Sequence, residues 1–130
     1  MNKIKSGFTL VEIMITVAII ALLAAITVPN LIRARVTAND TTAKAALKAI
    51  SNALESYIGT NSTYPPNTAA LIGVAPPYLS KDYFTGTYNG FSFNVDTLTD
   101  YQYQFTAIPQ SSNFGTRSFT ISTGGVLVEN

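Results

Sequence analysis

The sequence predicts an α+β protein in which one long N-terminal α-helix packs on a small antiparallel β-sheet of three to four strands. Two patterns support this prediction. Residues 8–58 contain an almost wholly apolar run followed by a stretch with helical periodicity, and residues 91–128 contain short segments in which apolar and polar side chains alternate. With 130 residues, the chain has room for one globular unit with a single modest core.

The composition points to a membrane and away from most kinds of active site. Charged residues make up 12% and apolar residues 47%, so part of the chain is unsuited to water. A net charge of +1 gives no field that would gather nucleic acid, and we predict no nucleic-acid partner. The chain has no cysteine and no histidine, which excludes disulfides, Ser-His triads and the usual zinc or haem ligands. We therefore expect neither an enzyme nor a cofactor.

A short basic leader precedes the apolar run. Lys3 and Lys5 lie ahead of Gly7, and the run occupies residues 8–28. A helix of about twenty residues spans about 30 Å, the thickness of the hydrocarbon core of a bilayer. The apolar core of a secretory signal is typically only about 7–15 residues long. The length therefore favours a membrane-spanning helix.

Glu12 is the residue that an ordinary membrane anchor leaves unexplained. It lies five residues into the apolar run. A carboxylate in a spanning helix costs about 3 kcal/mol at mid-bilayer and less near the interface, so such an acid is by default a functional residue with a partner.

These residues resemble the class III signal of type IV pilins and pseudopilins, in the run Gly7-Phe8-Thr9-Leu10-Val11-Glu12-Ile13. The basic leader, the apolar run, Pro29 and Arg33 extend the likeness over about the first 35 residues. The resemblance implies that residues 1–7 are a leader, that a membrane-embedded aspartyl peptidase cuts between Gly7 and Phe8, and that the new amine of Phe8 is methylated.

The resemblance also assigns Glu12 a role in assembly. After cleavage Phe8 carries a positive amine, and Glu12 of a neighbouring subunit is its expected counter-charge. An unpaired buried charge is strongly unfavourable, so this pairing favours one axial register. Self-assembly into a helical homopolymer follows from the resemblance, as do four further partners: a prepilin peptidase, an assembly ATPase, a platform protein and an outer-membrane secretin.

Charge alone leaves the orientation in the membrane open. Lys3 and Lys5 on one side of the run are matched by Arg33 and Arg35 on the other. The family resemblance implies a cytoplasmic N-terminus in the bacterial inner membrane before assembly, and an extracellular filament afterwards.

Residues 29–59 are predicted to be the amphipathic half of the same helix. Pro29 lacks an amide hydrogen, so we expect a kink there, with less regular helix over residues 21–29 in the assembled filament. Gly59 is the predicted C-terminal stop. The apolar face that should pack on the sheet consists of Val36, Ala43, Leu47, Ile50, Leu54, Tyr57 and Ile58.

A connector and a sheet complete the chain. Residues 60–90 are rich in turn formers, with two Pro-Pro pairs and a predicted helical turn over residues 68–72. Residues 91–130 form the predicted sheet, with strands at 91–95, 101–105, 117–121 and 126–128. Its predicted core face consists of Phe91, Phe93, Tyr101, Tyr103, Phe105 and Phe119.

Three acids in the second half raise the possibility of a calcium site. Asp82, Asp96 and Asp100 are scattered among turn residues, where aspartate is favoured on local grounds. We therefore predict turns rather than a metal site. The family's major pilins often close this region with a disulfide, which this chain cannot form.

The sequence thus predicts the structural subunit of a type IV pilus filament that supports adhesion or twitching motility. The alternative is a pseudopilin of a type II secretion system, which is faintly indicated by Leu54-Glu55-Ser56-Tyr57, Tyr64-Pro65 and the run from Tyr78 to Asp82. A third class, a membrane-tethered binding or catalytic domain, fits the anchor but gives Glu12 no role.

Overall fold

The computed structural model describes residues 7–130. Most of the predicted leader, including Lys3 and Lys5, lies outside the described residues. Two helices and four strands follow in the order α1 (Leu10–Asn61), α2 (Ala69–Ile72), β1 (Phe91–Leu98), β2 (Tyr103–Pro109), β3 (Phe119–Ser122) and β4 (Val126–Glu129). The predicted α+β fold is confirmed. The chain divides into two units, with the boundary inside α1 between Ala34 and Arg35, and the second unit, Arg35–Asn130, is called the sheet unit below.

The helix α1 ends two residues later than its sequence predicts. Gly59 does not stop it. Instead, Ser62 takes a positive φ of 65° and donates its amide hydrogen to the carbonyl of Ile58 at 2.8 Å. The side-chain amide of Asn61 donates to the carbonyl of Tyr57 at 3.1 Å. These two bonds satisfy carbonyls of the last turn, so the stop is made by the chain that follows rather than by a glycine.

The four strands form one antiparallel sheet in the order β1-β2-β3-β4. The strand β1 continues to Leu98 through an irregularity between Val95 and Thr97. It is followed by a tight turn, in which the amide of Thr99 donates to the carbonyl of Gln102 at 2.9 Å. The predicted strand over 101–105 therefore begins only at Tyr103, and the strand predicted from 117 begins at Phe119.

The core lies between one face of the second half of α1 and one face of the sheet. The helix contributes Ala43, Leu47, Ile50 and Leu54, which are all buried, while Val36, Tyr57 and Ile58 are half-buried. The sheet contributes Phe91, Phe93, Tyr103, Phe105, Phe119 and Ile121, also buried. Tyr101 is a wrong prediction, because its side chain is 75% exposed. It lies in the turn between β1 and β2, where the strand alternation does not apply.

The connector also contributes to this core. The predicted helical turn is present as α2, and it buries Leu71. Leu79 is buried next to it and donates its amide hydrogen to the carbonyl of Leu71 at 2.9 Å. Tyr64 is buried as well, and its amide donates to the carbonyl of Asp100 at 2.9 Å. The connector is therefore held near its start and in its middle by packing and by main-chain bonds.

Candidate assembly site

The predicted cleavage position lies just before the first helix. Gly7, Phe8 and Thr9 have no helical hydrogen-bonding pattern, and α1 begins at Leu10. The Phe8 side chain is 85% exposed, and a Cβ built on Gly7 would have open space around it. A non-helical, exposed backbone is what a peptidase requires of its substrate, so this placement is compatible with cleavage after Gly7.

Thr9 and Glu12 form a reciprocal pair of caps at the start of α1. The amide and the hydroxyl of Thr9 both donate to Oε2 of Glu12, each at 2.8 Å. In return, the amide of Glu12 donates to the hydroxyl oxygen of Thr9 at 3.2 Å. This is the capping box, in which Thr is the N-cap and the acid three residues later reaches back. Two amide groups that the helix leaves unpaired are thereby satisfied.

The segment that follows is apolar and uncovered. Every described residue from 7 to 34 is exposed in the isolated chain. Its large apolar side chains range from 47% exposed at Ile32 to 85% at Phe8. This surface is much larger than the apolar patches that soluble monomers expose. By length and composition α1 can cross a membrane.

The polar side chains within the apolar segment are directed back onto the helix. The hydroxyl of Thr16 donates to the carbonyl of Glu12, and the hydroxyl of Thr27 donates to the carbonyl of Leu23 at 2.8 Å. Such bonds to the preceding turn allow threonine to lie in lipid without an unsatisfied donor. Glu12 is the one ionisable side chain between Phe8 and Leu31.

Pro29 lies inside α1, which continues through it in the isolated chain. Because proline has no amide hydrogen, the carbonyl four residues earlier loses its usual donor. The irregular helix that we expect over residues 21–29 belongs to the assembled filament and stays a prediction.

In the second unit, an ionic cluster ties β4 to the helix. Glu129 accepts hydrogen bonds from the ammonium of Lys44 and from Nη1 of Arg117, the latter at 2.9 Å. These bonds hold the pKa of Glu129 below its usual range. Nearby, burial raises the pKa of Asp40, and Lys44 and Arg117 oppose this in part. One carboxylate oxygen of Asp40 is buried with no hydrogen-bond partner within the part of the chain described.

A second cluster centres on the buried hydroxyl of Tyr103. It donates to Oε1 of Glu55 at 3.1 Å, lies 2.7 Å from the hydroxyl oxygen of Ser51, and accepts from the amide of Gly125 at 3.2 Å. The hydroxyl of Tyr64 donates to the same oxygen of Glu55 at 3.0 Å. Burial, followed by Glu55, raises the pKa of Tyr64 to about 12. These bonds join the helix, the connector, β2 and the turn before β4.

Sequence reasoning missed this second cluster, although one signal was present. Ser51 lies on the apolar face of α1, four residues after Leu47 and next to Ile50, and it is 3% exposed. A buried hydroxyl needs a partner, so its position indicates a polar contact from the sheet. Nothing in the sequence identifies that partner as Tyr103, which is 52 residues away.

Of the three acids considered for calcium, Asp82 and Asp100 lie in turns as predicted, whereas Asp96 lies in β1 and contacts the neighbouring strand. Asp82 accepts from the amide of Phe84 at 2.8 Å and from the hydroxyl of Thr85 at 2.6 Å, and these bonds lower its pKa. Asp96 accepts from the hydroxyl of Thr106. The carbonyl of Asp100 accepts from Tyr64. Among residues 7–130, no group of three or more acids is placed to hold a metal ion.

Comparison with known protein families supports the prediction made for the N-terminal segment. The family described as the prokaryotic N-terminal methylation motif matches residues 2–28. The family resemblance of these residues is therefore confirmed.

About half of the chain also aligns with individual proteins. It is 48% identical over 68 residues to the type IV wide pilus major component PilA4 of Thermus thermophilus, which covers 52% of each chain. It is 43% identical over 75 residues to the type IV major pilin protein PilA of Myxococcus xanthus, covering 58% of this chain and 34% of that one.

A third relative belongs to a secretion system. The type II secretion system core protein G of Pseudomonas aeruginosa is 43% identical over 67 residues, which are 52% of this chain and 47% of that protein. The alignments thus span about half or less of the length of each of these three curated relatives. Two of these relatives are named as a pilus component or a pilin and one as a core protein of a secretion system, and none of the three is named as an enzyme.

Proposed function

We propose that this chain, a relative of type IV pilins and of core protein G of type II secretion systems, is the structural subunit of a type IV pilus filament. One observation supports this above the others. An uncovered apolar helix has a single acid in its first turn, within the segment that matches the methylation motif, and its large apolar side chains are exposed in the described part of the chain. Copies of the same helix are the natural cover for such a surface.

The first step in this function is processing. Residues 1–7 form a leader, a prepilin peptidase cuts between Gly7 and Phe8, and the new amine of Phe8 is methylated. The exposed backbone before Leu10 supports cleavage at this position, because a helix that contained the scissile bond would have to unwind before cleavage. Before cleavage the subunit is a single-pass protein of the inner membrane with its N-terminus in the cytoplasm.

The second step is bundling of residues 8–28 with identical helices. Lipid is as apolar as the helix surface, so burial of these side chains supplies little net free energy on leaving the membrane. Assembly therefore requires an ATP-driven motor with a platform protein, and a secretin for passage through the outer membrane. The positive amine of Phe8 and the carboxylate of Glu12 in the adjacent subunit fix the register, since either charge alone in an apolar core is costly.

The remaining segments have structural roles in the filament. Pro29 is the point at which the helix loosens during assembly, residues 29–59 carry the head, residues 60–90 form the surface loop between helix and sheet, and residues 91–130 form the exposed sheet. Adhesion or twitching motility is the expected use of the fibre.

A pseudopilin of a type II secretion system is the second candidate. The identity of 43% to a core protein G equals the identity to the Myxococcus pilin and is lower than the 48% to the Thermus pilus component. The two functions predict different locations for the fibre. Immunogold labelling of intact cells should mark long surface fibres for a pilin, whereas a pseudopilin should label only after the outer membrane is opened.

The assembly role is tested by Glu12→Ala in the full chain. Mass spectrometry should find the mature variant cut after Gly7 and methylated on Phe8, while the yield of sheared fibres should fall sharply. Asp100→Ala, which removes an exposed acid of the sheet unit, is the matched control and should assemble normally. Normal fibre yield from the Glu12 variant would contradict the proposed function.

A further inference from the structure

We propose that the loop between β2 and β3 is a strap that clamps α1 where it enters the sheet unit, and that it confines loosening of the helix to the segment before Arg35. The strap consists of residues 110–118, between Pro109 at the end of β2 and Phe119 at the start of β3. The clamp itself follows from contacts within the sheet unit. Its use in a fibre rests on the proposed filament function.

Phe114 is the centre of the strap and contacts the first turns of α1 in the sheet unit. The guanidinium of Arg35 lies 5.2 Å from the centroid of the Phe114 ring, which is the range of a cation–π contact. The side-chain amide of Asn39 donates to the carbonyl of Phe114 at 3.0 Å. The next loop residue, Gly115, is so close to α1 that a Cβ on it would lie 2.9 Å from Oδ1 of Asp40. The strap thus holds the helix over about one and a half turns.

The other side of the Phe114 ring rests on a hairpin turn that leads into β1. Tyr88 and Phe91 exchange two main-chain hydrogen bonds, at 2.9 and 3.0 Å. The two residues between them, Asn89 and Gly90, have positive φ values of 49° and 78°, as a two-residue hairpin turn requires. A Cβ built on Gly90 would lie 2.2 Å from the Phe114 ring. The ring therefore packs directly on the glycine backbone and lies between the hairpin and the helix.

The strap is also tied down at both ends. At its start, the amide of Gln110 donates to the carbonyl of Gly90 at 2.8 Å. At its end, Ser118 and Asn130 exchange main-chain hydrogen bonds at 3.2 and 2.9 Å, which extends the pairing of β3 with β4. Because both ends are fixed to the sheet, a pull on α1 at Phe114 is resisted by the sheet rather than by a free loop.

The position of the strap matters because core packing on α1 begins only later. The first buried residue of α1 is Ala43, and residues 35–42 are exposed or half-buried. Pro29 removes one helical hydrogen bond just upstream of this stretch. Helix loosening that starts at Pro29 would therefore reach Ala43 if nothing held the residues between. In a fibre, a pull on the bundled residues 8–28 reaches the sheet unit along this same stretch.

Amide hydrogen exchange of the full chain in detergent micelles tests the clamp without fibres. Phe114→Ala should raise the exchange rates over residues 38–42 about tenfold, because the ring and its contacts are lost. Arg35→Gln removes only the cation–π contact and should raise the same rates about two- to fivefold. Lys48→Gln removes a positive charge from an exposed position of the same helix and should leave these rates unchanged.

Two further comparisons separate the clamp from general destabilisation. Tyr103→Phe weakens the sheet unit away from the strap, so it should lower the melting temperature and leave exchange over residues 38–42 near wild type. Arg35 is exposed, so Arg35→Gln tests the clamp even where loss of the whole Phe114 ring prevents folding. Unchanged rates in Arg35→Gln, or rates in Tyr103→Phe that rise as much as in Phe114→Ala, would overturn the inference.

Cryo-electron microscopy of sheared fibres tests the use of the clamp in assembly. Wild-type subunits should be helical from Arg35 onward, whereas in Phe114→Ala the irregular helix should extend past Arg35 toward Ala43. Wild-type fibres with irregular helix between these two residues would contradict the inference alone. Wild-type protein that makes no fibres under any condition would remove the proposed function, and the exchange rates in micelles would still decide whether the clamp exists.

Discussion

Replacing Tyr103 with phenylalanine tests the main polar contact of the sheet unit. The ring stays and keeps its packing, but the hydroxyl loses its bonds to Glu55, Ser51 and the amide of Gly125. The substitution therefore isolates the hydrogen bonds from the apolar burial of the same side chain.

The expected cost follows from the surroundings of each partner. Glu55 is exposed and regains water, so its lost bond counts for about 1 kcal/mol or less. Ser51 is 3% exposed, and a buried polar group left without a partner costs about 1–3 kcal/mol. Gly125 is exposed, so its amide regains water at small cost. We expect the free energy of unfolding to fall by about 3 kcal/mol in total, which corresponds to a melting temperature lower by roughly 10–20 °C for a unit of this size.

The assay is thermal unfolding of the full chain in detergent, followed by near-ultraviolet circular dichroism, which reports the packing of tyrosine and phenylalanine rings. Two other tyrosines provide graded controls. Tyr64→Phe removes one bond to Glu55 and should cost about 1 kcal/mol. Tyr101→Phe changes a side chain that is 75% exposed and should stay within about 0.5 kcal/mol of wild type. A Tyr103 variant as stable as the Tyr101 variant would refute the reasoning.

Two further predictions concern titration and one concerns packing. Burial raises the pKa of Asp40, so folding favours the protonated form, and ionisation of the carboxyl lowers the stability as the pH rises above its ordinary pKa of 3.8. Asp40→Asn should therefore melt at a higher temperature than wild type at pH 7 but not at pH 3. An equal gain at both pH values would contradict this prediction. The pKa of Tyr64 is about 12 in the folded chain against 10.0 ordinarily, so stability that is present below pH 10 should be lost between about pH 10 and 12. Tyr64→Phe should flatten the plot of melting temperature against pH in that range. An unchanged slope there would count against Tyr64 as the group responsible. A Cβ on Gly115 would lie 2.4 Å from the ring of Phe91, so Gly115→Ala should destabilise the sheet unit by about 1–3 kcal/mol. The control is Gly59→Ala, which lies inside α1 with open space around the added Cβ and should not destabilise the unit; a Gly115 variant that melts as high as this control would argue against the clash.

Short-range patterns predicted the elements of this fold well. Helical spacing identified Leu47, Ile50 and Leu54 as one buried face, and strand alternation identified Phe91 and Phe93. These predictions succeed because burial of apolar side chains is decided by a period of 3.6 or 2 residues along the chain. The N-terminal segment was equally predictable, because its motif and Glu12 are close together in the sequence.

The failures occur where the outcome depends on local turns or on distant residues. Tyr101 follows the strand alternation but lies in a hairpin turn, and the sequence does not determine where that turn begins. Gly59 has the composition of a helix stop, but Ser62 and Asn61 supply the cap. The contact of Ser51 with Tyr103 joins residues 52 apart, and only the folded sheet brings them together.

The connector has unequal tolerance for foreign sequence along its length. Near α2, Leu71 and Leu79 fill the core, so an inserted peptide there would displace buried side chains. Around Gly86 the chain is exposed, no side chain stands within 4 Å of the place where a Cβ would be, and φ is +81°. Exposed tips of this kind accept added segments. An epitope placed after Gly86 would be displayed on every subunit of the polymer. The same epitope between Leu71 and Leu79 would leave few subunits correctly folded.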